Sequence, residues 1–126
     1  MKMVGSIEIS KREMVMDEKI YVAVVGKDLE SKSSLVWAIQ NIGGGKEFCI
    51  VYVHQPIQSS VRNRKEKEKV HKNLDKYLNI CRQMQVSAEK IFIEMDSVEK
   101  GILQLISDRG VRKLVMGTAT DRHYSM

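Results

Sequence analysis

Four short stretches hold the residue types that could do chemistry: Val25-Gly26-Lys27-Asp28, His54-Gln55, Asp96-Ser97 and Met116-Gly117-Thr118. Each follows an apolar run of strand length or closes one. A glycine in such a place lets main chain approach a ligand, because no Cβ stands in the way. Lys27 and Asp28 offer one charge of each sign, and His54, at the end of a strand, could touch a ligand. This set suits the binding of a small polar ligand. It supplies no nucleophile–base triad, no paired carboxylates and no metal cluster for independent catalysis.

Each of these residues also has a plain structural reading. Asp28 or Ser31 can cap the helix that follows, as can Asp96 or Ser97 further on. His54 can pack as a loop histidine against the adjacent helix. His71 lies among charged residues and reads as solvated, and His123 lies in the tail. Three scattered histidines and two cysteines do not make a metal site. Cys49 and Cys81 sit in apolar surroundings and read as small buried hydrophobes of a reducing, cytoplasmic compartment.

The elements that must position these residues alternate in type. Lys19 to Val25 is a nearly continuous apolar run, as expected of a strand covered on both faces. A helix follows, with Leu35, Val36, Ile39 and Ile42 as its apolar face and Trp37 beside it in the core. Gly43-Gly44-Gly45 ends it. Glu47 to His54 is the second strand, closed by Pro56. A long helix then carries Val70, Leu74, Tyr77, Leu78, Cys81 and Met84 at spacings of three and four. Val86 to Met95 holds the third strand. The next helix has Val98, Ile102, Leu105 and Ile106 on its inner face and ends at Gly110. Lys113 to Met116 is the fourth strand. Residues 1–18 form a loosely packed extension, with a short strand at Ser6 to Ser10, ahead of a domain over residues 19–126. Strands alternating with helices call for an open, mainly parallel sheet with helices on both faces. In such a sheet the four stretches above gather at the carboxyl edge, where ligands bind.

The chain has 126 residues, 43% of them hydrophobic, and a formal net charge of +5. That is enough for one domain with a real core. No apolar run is long enough to span a bilayer, so no membrane contact is expected. Arg62 to Lys69 concentrates charge, but Glu66 and Glu68 break the field and no aromatic residue is there to stack bases. Nucleic acid is therefore not an expected partner.

The pattern resembles the plant universal stress protein-like domain, of the adenine nucleotide α-hydrolase-like superfamily, as found at the N-terminus of U-box and receptor-like cytoplasmic kinase proteins. The carrying stretches are Lys19-Ile-Tyr-Val-Ala-Val-Val-Gly-Lys-Asp28, Glu30-Ser-Lys-Ser-Ser-Leu-Val-Trp-Ala-Ile39, Val53-His-Gln-Pro56, Glu94-Met-Asp-Ser-Val-Glu-Lys-Gly-Ile102 and Arg112-Lys-Leu-Val-Met-Gly-Thr-Ala-Thr-Asp-Arg-His-Tyr-Ser125. The resemblance implies a Rossmann-like parallel sheet in the order 3-2-1-4-5. In ATP-binding members it also implies an aspartate just after the first strand and a Gly-x2-Gly-x9-Gly-Ser/Thr run after the fourth. Here Val25 stands in the aspartate's place. Gly117 matches the first glycine, Thr120 occupies the second glycine's place, and the third would fall beyond Met126. The last helix and the fifth strand are accordingly expected to be lacking.

The expected function is a noncatalytic binding or interaction module with a degenerate nucleotide site, related to stress, ubiquitin-ligase or kinase signalling. The alternative is an adenine-nucleotide binder, with ATP as ligand, using Val25, Gly26, Lys27, Asp28, His54, Met116, Gly117 and Thr118. An uncovered fourth strand, Leu114-Val115-Met116, would offer an edge for a protein partner or for self-association.

Overall fold

Apolar runs without alternation need cover on both faces, and this chain finds it in four strands between two layers of helix. A computed structural model describes residues 18–116. In order, these form β1 (Ile20–Ala23), α1 (Lys32–Ala38) with a wider π turn over Ile39–Gly43, β2 (Phe48–His54), α2 (Ser60–Gln83), β3 (Ala88–Glu94), α3 (Val98–Arg109) and β4 (Lys113–Met116). The sheet order is β3-β2-β1-β4. All three strand pairings are parallel, with Ile20 opposite both Phe48 and Lys113. This is the α/β architecture read from the sequence, in the order the resemblance implied for its first four strands. The extension expected over residues 1–18, including the strand at Ser6 to Ser10, lies outside the described residues except for Glu18. So do Gly117, Thr118 and Thr120.

Alternate side chains of each strand feed two cores. Ile20, Val22 and Val24 of the β1 segment join Phe48 and Ile50 of β2 under α1 and α2, against Leu35, Val70, Leu74 and Tyr77. Tyr21, Ala23, Cys49, Val51 and Val53 face the other way, onto Ile102 and Leu105 of α3. Gly101 sets how closely α3 approaches. A Cβ there would stand 2.7 Å from Cγ1 of Val53, so only hydrogen leaves room for β2.

Several local expectations give way to tertiary contacts. β1 ends at Ala23 rather than Val25. The Val24 N–H still donates to the Val51 carbonyl at 2.8 Å, but Gly26 then takes φ +76° and turns the chain away. Asp28 caps no helix: it sits at φ 55° with its carboxylate 2.8 Å from Lys76 Nζ on α2. Trp37 is 51% exposed and not in the core. Two residues beyond buried Leu35, it lies on the far side of a 3.6-residue turn. Ile106, expected inside, is 37% exposed. His71 is not simply solvated, because its ring stacks on Phe92 with centroids 4.6 Å apart. The caps at Ser59 and Ser97 are conventional, their hydroxyls accepting from the N–H groups of Arg62 and Lys100.

Ser31 holds the start of α1 differently. Its hydroxyl accepts from the Val25 N–H at 3.0 Å instead of capping its own helix. Its own N–H donates to the Tyr77 hydroxyl at 2.9 Å, and both residues are buried. Tyr77→Phe would leave that N–H without its partner, and a buried orphan costs about 1–3 kcal/mol. Urea denaturation should show a lower midpoint at unchanged slope, and an unchanged midpoint would contradict this role.

Candidate ligand cleft at the carboxyl edge of the sheet

β1 is followed by β2 on one side and flanked by β4 on the other, so strand order reverses there. Crevices at such reversal points are where open α/β sheets bind ligands. The structure places a cleft of about 310 Å³ there. Ala23, Val24, Val25 and Gly26 line it along the end of β1, with Met116 from β4 beside them. Val51 and Val53 of β2, and Val98 and Ile102 of α3, form an apolar wall. Tyr52, His54, Gln55, Ile57 and Glu66 close the opposite side.

The residues singled out in sequence divide between two places. Val25, Gly26, His54 and Met116 come together around the cleft. Lys27 and Asp28 turn away and line a neighbouring cavity against α2, which shares only Gly26, Tyr52 and Glu66 with the cleft. Gly117 and Thr118 lie outside the described residues. Asp96 and Ser97 stand at the start of α3, where Ser97 caps the helix and Asp96 pairs with Lys100 at 3.3 Å.

The β1–α1 loop is held by its own side chains. The Glu30 carboxylate lies directly against Gly26, where a Cβ would collide with it. The same carboxylate accepts from the Lys27 N–H at 3.3 Å. Glu66, which sequence reasoning treated only as part of a charged helix start, faces both cavities. Burial, with the Glu66 charge second, raises the Tyr52 phenol above its usual value and keeps it a neutral hydroxyl.

His54 is 4% exposed. Its Nε2 lies 2.7 Å from Oδ1 of Asn63, which also accepts the Ile57 N–H at 2.9 Å. An amide oxygen only accepts, so this contact makes Nε2 the protonated ring nitrogen. The ring also stacks against Phe92 at 5.6 Å. The packed reading of His54 therefore describes its side chain, and Asn63, which periodicity did not single out, is what fixes it. The thiols are equally committed. Burial, and then the hydrogen bond to Glu89, pushes Cys49 up to about 12, and burial pushes Cys81 up to about 11. Both remain neutral thiols at physiological pH, poor as nucleophiles. Among the described residues no group of histidine, cysteine or carboxylate side chains could hold a metal ion.

With this geometry in view, solved structures supply the fold's relatives. A universal stress protein family structure from Burkholderia pseudomallei superposes with a TM-score of 0.64 at 18% identity, over 87% of this chain and 89% of that one. One from Arabidopsis thaliana, with AMP bound, gives a TM-score of 0.61 at 19% identity, over 79% and 75% of the two chains. The chain has the fold of these universal stress protein structures. By sequence it is similar to U-box domain-containing protein 36 of Arabidopsis thaliana, 70% identical across 96% of this chain and 28% of that protein. U-box domain-containing protein 33 of the same plant is 52% identical across 88% of the chain and 15% of its own length. The chain spans less than a third of the length of those relatives. No protein-family model matches it.

Asn63 should matter more than its place on a charged helix suggests. Asn63→Ala removes the acceptor shared by His54 and Ile57, at a cost of about 1–3 kcal/mol for the buried groups left behind. The His54 Nε2–H resonance should then exchange faster in NMR spectra. An unchanged ring proton and unchanged stability would show that the contact is incidental.

Proposed function

We propose that this chain is a noncatalytic binding and interaction module of the universal stress protein type, with a degenerate nucleotide site, serving signalling proteins like its plant U-box relatives. One observation carries the reading. Val25 stands at the cleft where the resemblance calls for an aspartate, and its isopropyl group offers no acceptor to a base or ribose. The apolar wall of Val51, Val53 and Met116 fits the flat body of a base. The carboxylate present, Glu66, faces the same space and would repel phosphate. Residues 19–126 would form this module behind an extension at 1–18, in a reducing intracellular compartment consistent with two buried thiols. Among the described residues no helix is long and apolar enough to cross a membrane.

The second reading is an adenine-nucleotide binder with ATP or AMP as ligand. The AMP-bound neighbour favours it, and a 310 Å³ cleft is of small-ligand size. Calorimetric titration of AMP and of MgATP into the folded chain separates the two. The unaltered chain should show no saturable heat below ~1 mM, and Val25→Asp should tighten binding by about tenfold, ~1.4 kcal/mol. Saturable micromolar binding by the unaltered chain would hand the site to the nucleotide reading.

The partner surface we propose is the outer edge of β4. Leu114 packs on the α3 side and Val115 on the α1 side, while Met116 is 43% exposed. Among the described residues β4 pairs only with β1, and none of them covers its other edge, which would suit a second strand. If a second copy fills it, sedimentation velocity should show dimer growing with concentration and lost in Met116→Lys. A monomer at every concentration would remove self-association and leave a different protein as the partner.

A further inference from the structure

The cavity beside the cleft is the larger of the two, about 470 Å³, and the function proposed above makes no use of it. It lies between the β1–α1 loop and the middle of α2. Tyr52 and Val70 are its apolar floor. Lys69, Lys72 and Lys76 project from α2 at helical spacings of three and four, and Lys27 faces them from the loop. Lysine stems are apolar and their ends are cationic, so such side chains give a greasy wall with a charged rim.

The charges do not cancel. Four lysines and two acids, Asp28 and Glu66, line the space, a net of +2 from 4 − 2. Lys76 neutralises Asp28 at 2.8 Å. Among the described residues Lys27, Lys69 and Lys72 make no ion pair; Glu66 lines the same space, and the Glu30 carboxylate reaches the loop at the Lys27 N–H. A concave, apolar-walled site with an excess of one sign concentrates its field on a counter-ion. Asn73 lines the same cavity, and its buried Oδ1 has no hydrogen-bond partner among the described residues. The loop side is also unusual. Asp28 holds φ 55°, a conformation that L residues seldom take.

We propose that this cavity is a second binding site, for a small aromatic anion: a flat apolar body bearing one phosphate, sulfonate or carboxylate group. The ring would lie against Tyr52, Val70 and the lysine stems, where ammonium groups also favour an aromatic face. The anionic group would meet Lys27, Lys69 and Lys72. The inference does not rest on the nucleotide reading, since of the residues it uses for affinity only Tyr52 also lines the cleft.

The test is an NMR titration of the full chain, following backbone amides, with 2-naphthyl phosphate, and separately with 2-naphthol and inorganic phosphate. Saturable shifts are expected at Lys27, Asp28, Tyr52, Lys72 and Asn73. Naphthol and phosphate should each bind at least about tenfold more weakly, because each keeps only half of the recognition. The double variant Lys69→Ser, Lys72→Ser changes exposed side chains and should leave the fold intact. It should weaken naphthyl phosphate by about tenfold and leave naphthol unchanged. Shifts confined to Val51, Val53 and Met116 would overturn the proposal by placing the ligand in the cleft. So would unsaturable shifts spread over the surface, or equal loss of naphthol binding in the double variant.

Discussion

A buried three-way junction at Ser31 governs how the ligand edge is built. The Ser31 hydroxyl takes the Val25 N–H just after β1, and its main-chain N–H is taken by Tyr77 from α2. One residue thus ties the end of β1, the start of α1 and the middle of α2. Buried polar groups hold a structure strongly only when each is matched. Here the matching fixes the depth of the β1–α1 loop against α2. That depth decides where the cleft ends and where the lysine-lined cavity begins. The short α1 is positioned by this junction and by Leu35 and Ala38, rather than by a cap of its own.

Much of the fold was legible because parallel strands buried on both faces read as unbroken apolar runs. The segments of β2, β3 and β4, the apolar stripe of α2 and the glycine stops at Gly44 and Gly110 all follow from local pattern. What failed was of one kind. Asp28, Trp37, His71 and Asn63 each depend on a neighbour distant in sequence or on the angular phase of a helix. Asp28 has a side chain suited to a helix cap, yet the N-cap position falls at Ser31 and the Asp28 carboxylate meets Lys76 instead. His71 sits among charges in sequence and on an aromatic ring in space. Periodicity cannot weigh a contact between residues whose meeting depends on the finished sheet.

The same limit explains the charged half of α2. Arg62 to Lys69 reads as a solvated helix start, and most of it is exposed. Three of its residues nevertheless reach structure. Asn63 holds His54, Glu66 faces both cavities, and Lys67 meets Glu94 at 3.2 Å while lying 5.9 Å over the Phe92 ring. The exposed pair contributes little to stability by itself. Its effect is geometric, since it shields a half-buried edge strand that α2 covers only in part.

The glycines bear on how a degenerate site should be recognised. Gly26 would serve a nucleotide by letting main chain approach it, but Gly26 is already required by its φ of +76°. Gly101 borders the cleft wall, and it is required by the contact with Val53. Both would be needed if no ligand had ever bound, so neither supports one. The discriminating positions are those the fold leaves free. Val25 exposes part of its side chain at the cleft and could be a carboxylate without disturbing its main-chain bond to Ser31. The proposed reading of the cleft therefore rests on the valine at this position, and the glycine turns add nothing for or against it.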